Sequence, residues 1–215
     1  MRRAILAIGL AAWMTSAAGT ARAADDQQTT VNDAAGAVRE MKAETGIAKT
    51  GLLHRAKAVL IVPSALDVAV GIGGAGGRAV LLVHERHGWS DPAFYSVATA
   101  SAGVQLGAKQ VTSVLLIMTD RALRSFLQDS NVTVGAQANL TAVRFDANRV
   151  AQLGGADVVL WSKSQGLFAG AAVQAQGFVQ NGGANRAYYG RDVTAPEIAD
   201  GAVHNPGAAR LRAAL

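Results

Sequence analysis

Apolar residues recur every three or four positions near the start of the chain, and this spacing changes after residue 55. From Val31 to Leu53 the pattern predicts an amphipathic helix. Its apolar stripe consists of Val31, Ala34, Val38, Met41, Thr45, Ala48 and Leu52. Gly36 and Gly46 weaken this helix, because glycine is a poor helix former. Residues 24–30 are polar, and we expect a loose segment there.

Short apolar runs follow the helix and are typical of buried strands separated by turns. The run Ala58–Val62 ends at Pro63, and Val68–Ile72 and Ala79–His84 flank the glycine-rich segment Gly73–Gly77, which predicts a hairpin. Further extended segments are expected at Phe94–Ala100, Gly103–Ala108, Val111–Met118, Val132–Leu140, Val158–Ser162, Gly166–Gly177 and around Tyr188 and Tyr189.

Three short helices and one polar loop complete the pattern. The helices are expected at Arg121–Gln128 after an Asp120 cap, at Ala195–Asp200 after Thr194, and at Ala208–Leu215, and the loop at Arg144–Gly155. Sequential short strands favour antiparallel pairing. We therefore expect one α+β domain over residues 31–215, in which the N-terminal helix packs on a curved, largely antiparallel sheet or barrel-like sandwich.

Residues 1–23 have the pattern of a secretory signal peptide. Two arginines precede the apolar run Ala4–Met14, and Ala21-Arg22-Ala23 is an A-x-A cleavage site. Cleavage would leave 17 of the 20 Lys and Arg against 15 Asp and Glu, so the formal charge would fall from +5 to +2. So small a charge disfavours nucleic acid as a partner. We expect a periplasmic or secreted protein, peripheral at a membrane.

The sequence offers little for catalysis or metal binding. With 0 Cys, it excludes disulfides, thiol nucleophiles and a lipid-modified cysteine. Gly71, Gly73 and Gly76 match G-x-G-x-x-G, but strand-like residues follow where a dinucleotide loop needs a helix. His84 and His87 lack the further ligands of a metal site. We predict no catalytic residue, no metal and no cofactor.

Basic residues cluster at the end of the predicted helix. They are Arg39, Lys42, Lys49, Arg55 and Lys57, with His54 between them. Such residues could hold lipid head groups while Val38, Met41 and Leu52 insert into acyl chains or line an acyl groove. The alternative is an ordinary helix packed on the sheet with its lysine stems along the rim. The pattern alone favours that alternative.

Six motifs in order along the chain favour the first interpretation again. They are Lys57-Ala58-Val59-Leu60-Ile61-Val62-Pro63, Gly88-Trp89-Ser90-x-Pro92-x-Phe94-Tyr95, Gly103-x-Gln105-Leu106-Gly107, Val114–Met118 with Asp120, Ser164-x-Gly166-Leu167-Phe168-Ala169-Gly170 and Tyr188-Tyr189-Gly190. Together they resemble the SYLF domain, also called the Ysc84-type actin-binding domain, over about residues 35–200.

The resemblance implies a lipid-binding module without catalytic activity. Eukaryotic relatives bind phosphoinositide membranes, and some bind and bundle actin, whereas bacterial relatives look like exported proteins. Actin is not expected as a partner outside a bacterial cytoplasm, so we expect an anionic phospholipid at the periplasmic face of the envelope. The alternatives are an envelope protein–protein interaction module or, less favoured, a hydrolase acting on lipid or envelope glycan.

The basic cluster then becomes the expected head-group site. Reversing the charges of Lys42 and Lys49 together should weaken binding to anionic vesicles and leave the fold intact.

Overall fold

The computed structural model describes residues 9–135, 140–145 and 155–215, so parts of the predicted strand Val132–Leu140 and loop Arg144–Gly155 lie outside the described residues. The helices are α1 (Gly9–Thr45), α2 (Leu52–Arg55), α3 (Asp120–Gln128), α4 (Gly182–Tyr189), α5 (Ala195–Ala199) and α6 (Ala209–Ala214). The strands are β1 (Ala58–Glu85), β2 (Gly88–Trp89), β3 (Ala93–Ile117), β4 (Asn131–Val134), β5 (Ala142–Arg144) and β6 (Val158–Gln180). Two 3₁₀ turns lie at Ile47–Thr50 and Pro206–Ala208.

The helix α1 confirms the predicted apolar stripe, because Val31, Ala34, Val38 and Met41 are fully buried. Its predicted continuation to Leu53 is wrong. Gly46 has a φ of +61°, in the left-handed region, so α1 ends at Thr45 and two short turns replace the rest.

Residues 24–30 belong to α1, so the expectation of a loose segment is wrong. The Thr29 and Thr30 hydroxyls donate to the carbonyl oxygens four residues earlier. The side chains of Gln27 and Thr30 are also buried, which holds this polar stretch in the helix. Among the helices in the described part of the chain, none is both long and apolar enough to cross a membrane.

The sheet has the strand order β2-β1-β3-β6-β4, with β5 paired to β6. Four of these strand pairs are antiparallel and the β5–β6 pair is parallel. The register of β1 on β3 runs from Ala58↔Ile117 to Leu81↔Ala93. The sheet curls into a half-barrel, which confirms the predicted α+β class with an N-terminal helix.

The strand β1 curls until its two ends meet. The amide of His84 donates to the carbonyl oxygen of Lys57 at 2.8 Å. A Cβ added to Gly77 would lie 2.8 Å from the carbonyl oxygen of Ser64, so the missing side chain allows a close backbone approach. The predicted tight hairpin at Gly73–Gly77 is wrong, because these residues remain paired with β3 while the chain reverses gradually.

The three strands predicted between Phe94 and Met118 are likewise one continuous strand, β3. It stays paired with β6 over its whole length from Tyr95 onward, so no turn interrupts it. The sequence pattern therefore missed the length of this strand. The predicted extended conformation of the three segments is confirmed.

Around Ala58–Val62 both faces of the sheet are buried, so successive residues of its strands there enter two different cores. Val59 and Ile61 pack under α1, and Leu60 and Val62 face the inside of the curl. The inner core is closed by Phe126 of α3 among others. This explains why the strands read as continuous apolar runs.

The chain after β6 forms three short helices. A capping box at Thr194 starts α5, and α6 follows, as predicted for both. The expectation of an extended chain around Tyr188 and Tyr189 is wrong. The side chain of Asn181 caps the start of α4, and Gly190, with φ +71°, ends it.

The carboxylate of Asp157 joins three elements. Thr119, and not the predicted Asp120, caps α3, and its hydroxyl donates to Asp157 at 2.8 Å. Thr141 donates at 3.0 Å, and Arg121 donates as well. Burial alone raises the pKa of Asp157, but these hydrogen bonds outweigh it and hold the pKa below its usual value.

We expect Asp157→Asn to remove an acid-sensitive part of the stability. A carboxyl with a lowered pKa stabilises the fold above its unfolded pKa of about 3.9, and this contribution is lost as the pH falls through the folded pKa. Urea unfolding at a series of pH values should show the free-energy gap between the natural protein and the variant narrowing below about pH 4. A gap that stays constant would contradict this role.

We expect Gly36→Ala to stabilise the protein by about 0.5–1 kcal/mol, because glycine is costly inside a helix. A Cβ at Gly36 would have nothing within 4 Å, so no clash offsets the gain. Gly190→Ala is the matched control and should destabilise, because its φ is +71°. Urea unfolding measures both, and a loss of stability in Gly36→Ala would be the contrary result.

Candidate functional site

Residues 46–57 connect α1 to β1 through two tight turns. Gly46 and Gly51 have φ values of +61° and +70°, which residues other than glycine rarely adopt. The first glycine redirects the chain after α1, and the second separates the 3₁₀ turn from α2. These two positions set which side chains of the segment face outward.

The inner side of this segment is apolar. Ile47, Leu52, Leu53 and Ala56 are buried in the core between α1 and the sheet. The outer side carries the exposed side chains of Lys49, His54, Arg55 and Lys57. The segment is therefore anchored from beneath and presents cations to solvent.

The turn between β1 and β2 brings further cations to the same end of the sheet. Besides the bond between the His84 amide and the Lys57 carbonyl oxygen, Nδ1 of His84 lies 3.2 Å from the Ala56 carbonyl oxygen. Arg86 and His87 follow directly and are exposed. We call Lys49, His54, Arg55, Lys57, Arg86 and His87 the basic surface.

Acidic side chains reduce the charge of the basic surface only in part. Lys57 pairs with Asp120 at 3.2 Å, and both side chains are about half exposed, so the pair is weak. Glu85 is exposed beside Arg86. Within the described part of the chain, neither Lys49 nor Arg55 forms an ion pair. Four lysines and arginines thus face two carboxylates.

The three apolar residues of the predicted site lie in the core. Val38 and Met41 are fully buried, and Leu52 is 2% exposed. They contact protein and not solvent, because α1 and α2 turn their apolar sides toward the sheet. Their contact with acyl chains stays a prediction, and it would require this part of the chain to leave the sheet.

Lys42 holds the end of the chain in place. Its ammonium group donates to the carbonyl oxygens of Ala214, the last residue of α6, and, at 3.0 Å, of Leu215. Burial lowers the pKa of Lys42. A cation is favourable at a helix C-terminus, so this lysine stabilises the docking of α6.

Arg39 lies on another side of α1, in a cavity that Glu40 also lines. The eight predicted residues are therefore not one surface. The structure groups Lys49, Arg55 and Lys57, adds Arg86 and His87, and places Lys42 and Arg39 elsewhere. The run His84-Glu85-Arg86-His87 was the available signal for the two additions, but only the curl of β1 brings it beside the segment.

The histidines do not assemble a metal site in the described residues, where no three His, Asp or Glu side chains converge. His84 stacks on Trp89 with ring centroids 4.5 Å apart. His204 lies 3.3 Å from the buried carboxylate of Asp91, which also pairs with Arg212. Both arrangements connect elements of the fold.

Comparison with known proteins gives one family. A model described as "Ysc84: Las17-binding protein actin regulator" matches residues 98–215. The Protein YSC84 of Saccharomyces cerevisiae is 32% identical over 164 residues, 74% of this chain and 35% of that protein. The SH3 domain-containing YSC84-like protein 1 of Xenopus laevis is 29% identical over 156 residues, 70% of this chain and 47% of that protein. The chain therefore spans a third to a half of these relatives.

We expect Lys42→Ala to destabilise the protein by about 1–3 kcal/mol, because it removes charge-assisted hydrogen bonds at the end of α6. Arg39→Ala removes an exposed cation of the same helix and should change stability by less than about 0.5 kcal/mol. Thermal and urea unfolding compare the two variants. Equal effects would contradict the structural role of Lys42.

Proposed function

We propose that this chain, which belongs to the Ysc84 (SYLF) family, binds anionic phospholipid through its basic surface. The observation that carries the proposal is the anchored segment 46–57, which presents Lys49 and Arg55 without acidic partners in the described part of the chain. The descriptions of the relatives name binding and regulation and no reaction, which supports a non-catalytic role.

The chemistry of the basic surface suits phosphate head groups. Lysine offers a mobile point charge, and arginine offers a fork that contacts two phosphate oxygens. Each such cation near an anionic membrane contributes about 1 kcal/mol.

The buried side chains beneath the segment determine which groups it can present to a membrane. Because Ile47, Leu52 and Leu53 occupy the core, the folded segment meets a membrane with charge and not with apolar side chains. Binding of this kind is screened by salt, since the screening length of exposed charges is about 8 Å at physiological ionic strength.

The location is part of the proposal. The signal-peptide pattern in residues 1–23 supports export, and with it the periplasmic face of a bacterial membrane. An envelope protein partner is the second candidate, favoured by a relative named LAS seventeen-binding protein 3. If the ligand is a protein, the chain need not prefer anionic over neutral lipid.

We expect Lys49→Glu combined with Arg55→Glu to weaken binding to anionic vesicles by about 30-fold or more, since two contributions of about 1 kcal/mol are lost. Co-sedimentation with vesicles of phosphatidylcholine, with and without phosphatidylglycerol, measures this at low and at physiological salt. Binding should require the anionic lipid and fade with salt.

Arg144→Glu with Arg191→Glu is the matched control. It makes the same change in net charge at exposed positions outside the basic surface. We expect this variant to retain most of the affinity for anionic vesicles. Lys42 is left out of both variants, because its bonds to Ala214 and Leu215 correct the expectation that its reversal leaves the fold intact. Equal losses in the two double variants would contradict the assignment of the surface, and the absence of binding to either vesicle would favour a protein partner.

A further inference from the structure

A polar groove lies between α1 and the sheet, beside the apolar core that joins them. Three cavities of about 540, 280 and 190 Å³ adjoin one another there. The first two share Asp33 and Ser64, and the first and third share Gln110 and Thr112. The groove is therefore continuous from α1 across β1 and β3 to β6.

An ion pair closes each end of the groove. Asp26 of α1 pairs with Arg78 of β1 at 3.8 Å. At the other end, Lys163 of β6 pairs with Glu40 at 2.6 Å and with Glu44. Eighteen residues of α1 separate the two ends, which corresponds to about 27 Å at 1.5 Å per residue.

Hydroxyl and amide groups form the floor between these pairs. The amide of Gln110 donates to the Ser64 hydroxyl at 2.7 Å, and the Thr112 hydroxyl donates to the Pro63 carbonyl oxygen at 3.0 Å. The walls add Asn32 and the exposed Asp33. Most of these groups keep further hydrogen-bonding capacity for a ligand.

The charges of the groove nearly cancel, which excludes polyanions as good ligands. Among the described residues, four carboxylates line or close it against three cations. In the part of the chain that the structure describes, the apolar lining consists of small groups such as Gly36, Ala37 and Pro63, which is too little to hold an acyl chain. The groove is thus unsuited to the phospholipid proposed for the basic surface.

An extended peptide is also disfavoured as the occupant. Peptides that add a strand require the unpaired backbone of a sheet edge. The floor here is the face of a sheet in which β1, β3 and β6 are already paired with one another. Recognition must therefore come from side chains, and those present both donate and accept hydrogen bonds.

We propose that this groove binds a linear, uncharged oligosaccharide. Sugar hydroxyls donate and accept hydrogen bonds in the same way as the amide, hydroxyl and carboxylate groups along the floor and walls. The small apolar surface at Gly36, Ala37 and Pro63 suits the C–H faces of sugar rings. The length of the groove admits several rings in a row.

Gly36 provides a selective way to block the groove. It lies in α1 and lines the largest cavity, and a Cβ there meets nothing within 4 Å. Leucine at this position would extend into the groove without disturbing the core. Alanine adds one methyl group and leaves the groove open, so it is the matched control.

The test measures binding of chitohexaose and maltohexaose to the purified protein by saturation-transfer NMR and calorimetry. At least one of the two should bind saturably to the natural protein and to Gly36→Ala. Gly36→Leu should weaken that binding by about tenfold or more with no loss of thermal stability. Binding of Gly36→Leu to anionic vesicles should be unchanged, which separates this test from that of the basic surface.

Three results would overturn the proposal. One is the absence of saturable binding to either saccharide at millimolar concentration. Another is equal binding by the leucine and alanine variants, which would place the saccharide elsewhere. The third is that the protein binds an uncharged Gly-Ser hexapeptide but neither saccharide, and that Gly36→Leu abolishes the peptide binding. This would assign the groove to peptides.

Discussion

The apolar stripe of α1 packs on the outer face of the curled sheet, and the other features of the molecule are arranged around this contact. Val31, Val38 and Met41 are fully buried there against strand residues such as Ile61 and Leu82. Full burial of a side chain of this size contributes about 1.5–3 kcal/mol. Because α1 is fixed, its end at Thr45 determines where the basic surface lies, and its side forms one wall of the polar groove.

The C-terminal part of the chain depends on the same helix. Lys42 binds the end of α6, and the amide of Gln28 donates to the Gly207 carbonyl oxygen at 3.1 Å. Inside the curl, a second core forms around Phe126, whose carbonyl oxygen accepts from the Tyr95 hydroxyl at 2.6 Å. Burial raises the pKa of Tyr95 and keeps it a donor. The sheet is thus stabilised on both faces.

Local signals in the sequence predicted much of this fold. The spacing of Val31, Val38 and Met41 predicted the buried face of α1, and Thr194 predicted the start of α5. The gradual reversal of β1 was missed, because it depends on pairing with β3 across many residues and not on a turn motif. The helix α4 was missed because aromatic residues favoured an extended interpretation, whereas the caps at both its ends decide the structure.

The candidate site was only partly predictable, because part of it depends on contacts between distant parts of the chain. Exposure of Lys49 and Arg55 follows from a local amphipathic pattern, and the structure agrees with it. The function of Lys42 at the end of α6 and the proximity of Arg86 to Lys57 depend on contacts between distant parts of the chain. A basic residue beside an apolar stripe is equally compatible with a structural and a surface function until its partner is known.

Hydrogen–deuterium exchange of the protein with and without anionic vesicles tests most directly whether α1 remains part of the fold when a membrane is bound. If the basic surface acts alone, amides of Val31–Met41 stay as slowly exchanging as in the free protein, and protection increases only in residues 46–57 and around Arg86. Faster exchange throughout Val31–Met41 on vesicle binding would contradict this, because it would mean that α1 leaves the sheet and exposes Val38 and Met41 to the lipid.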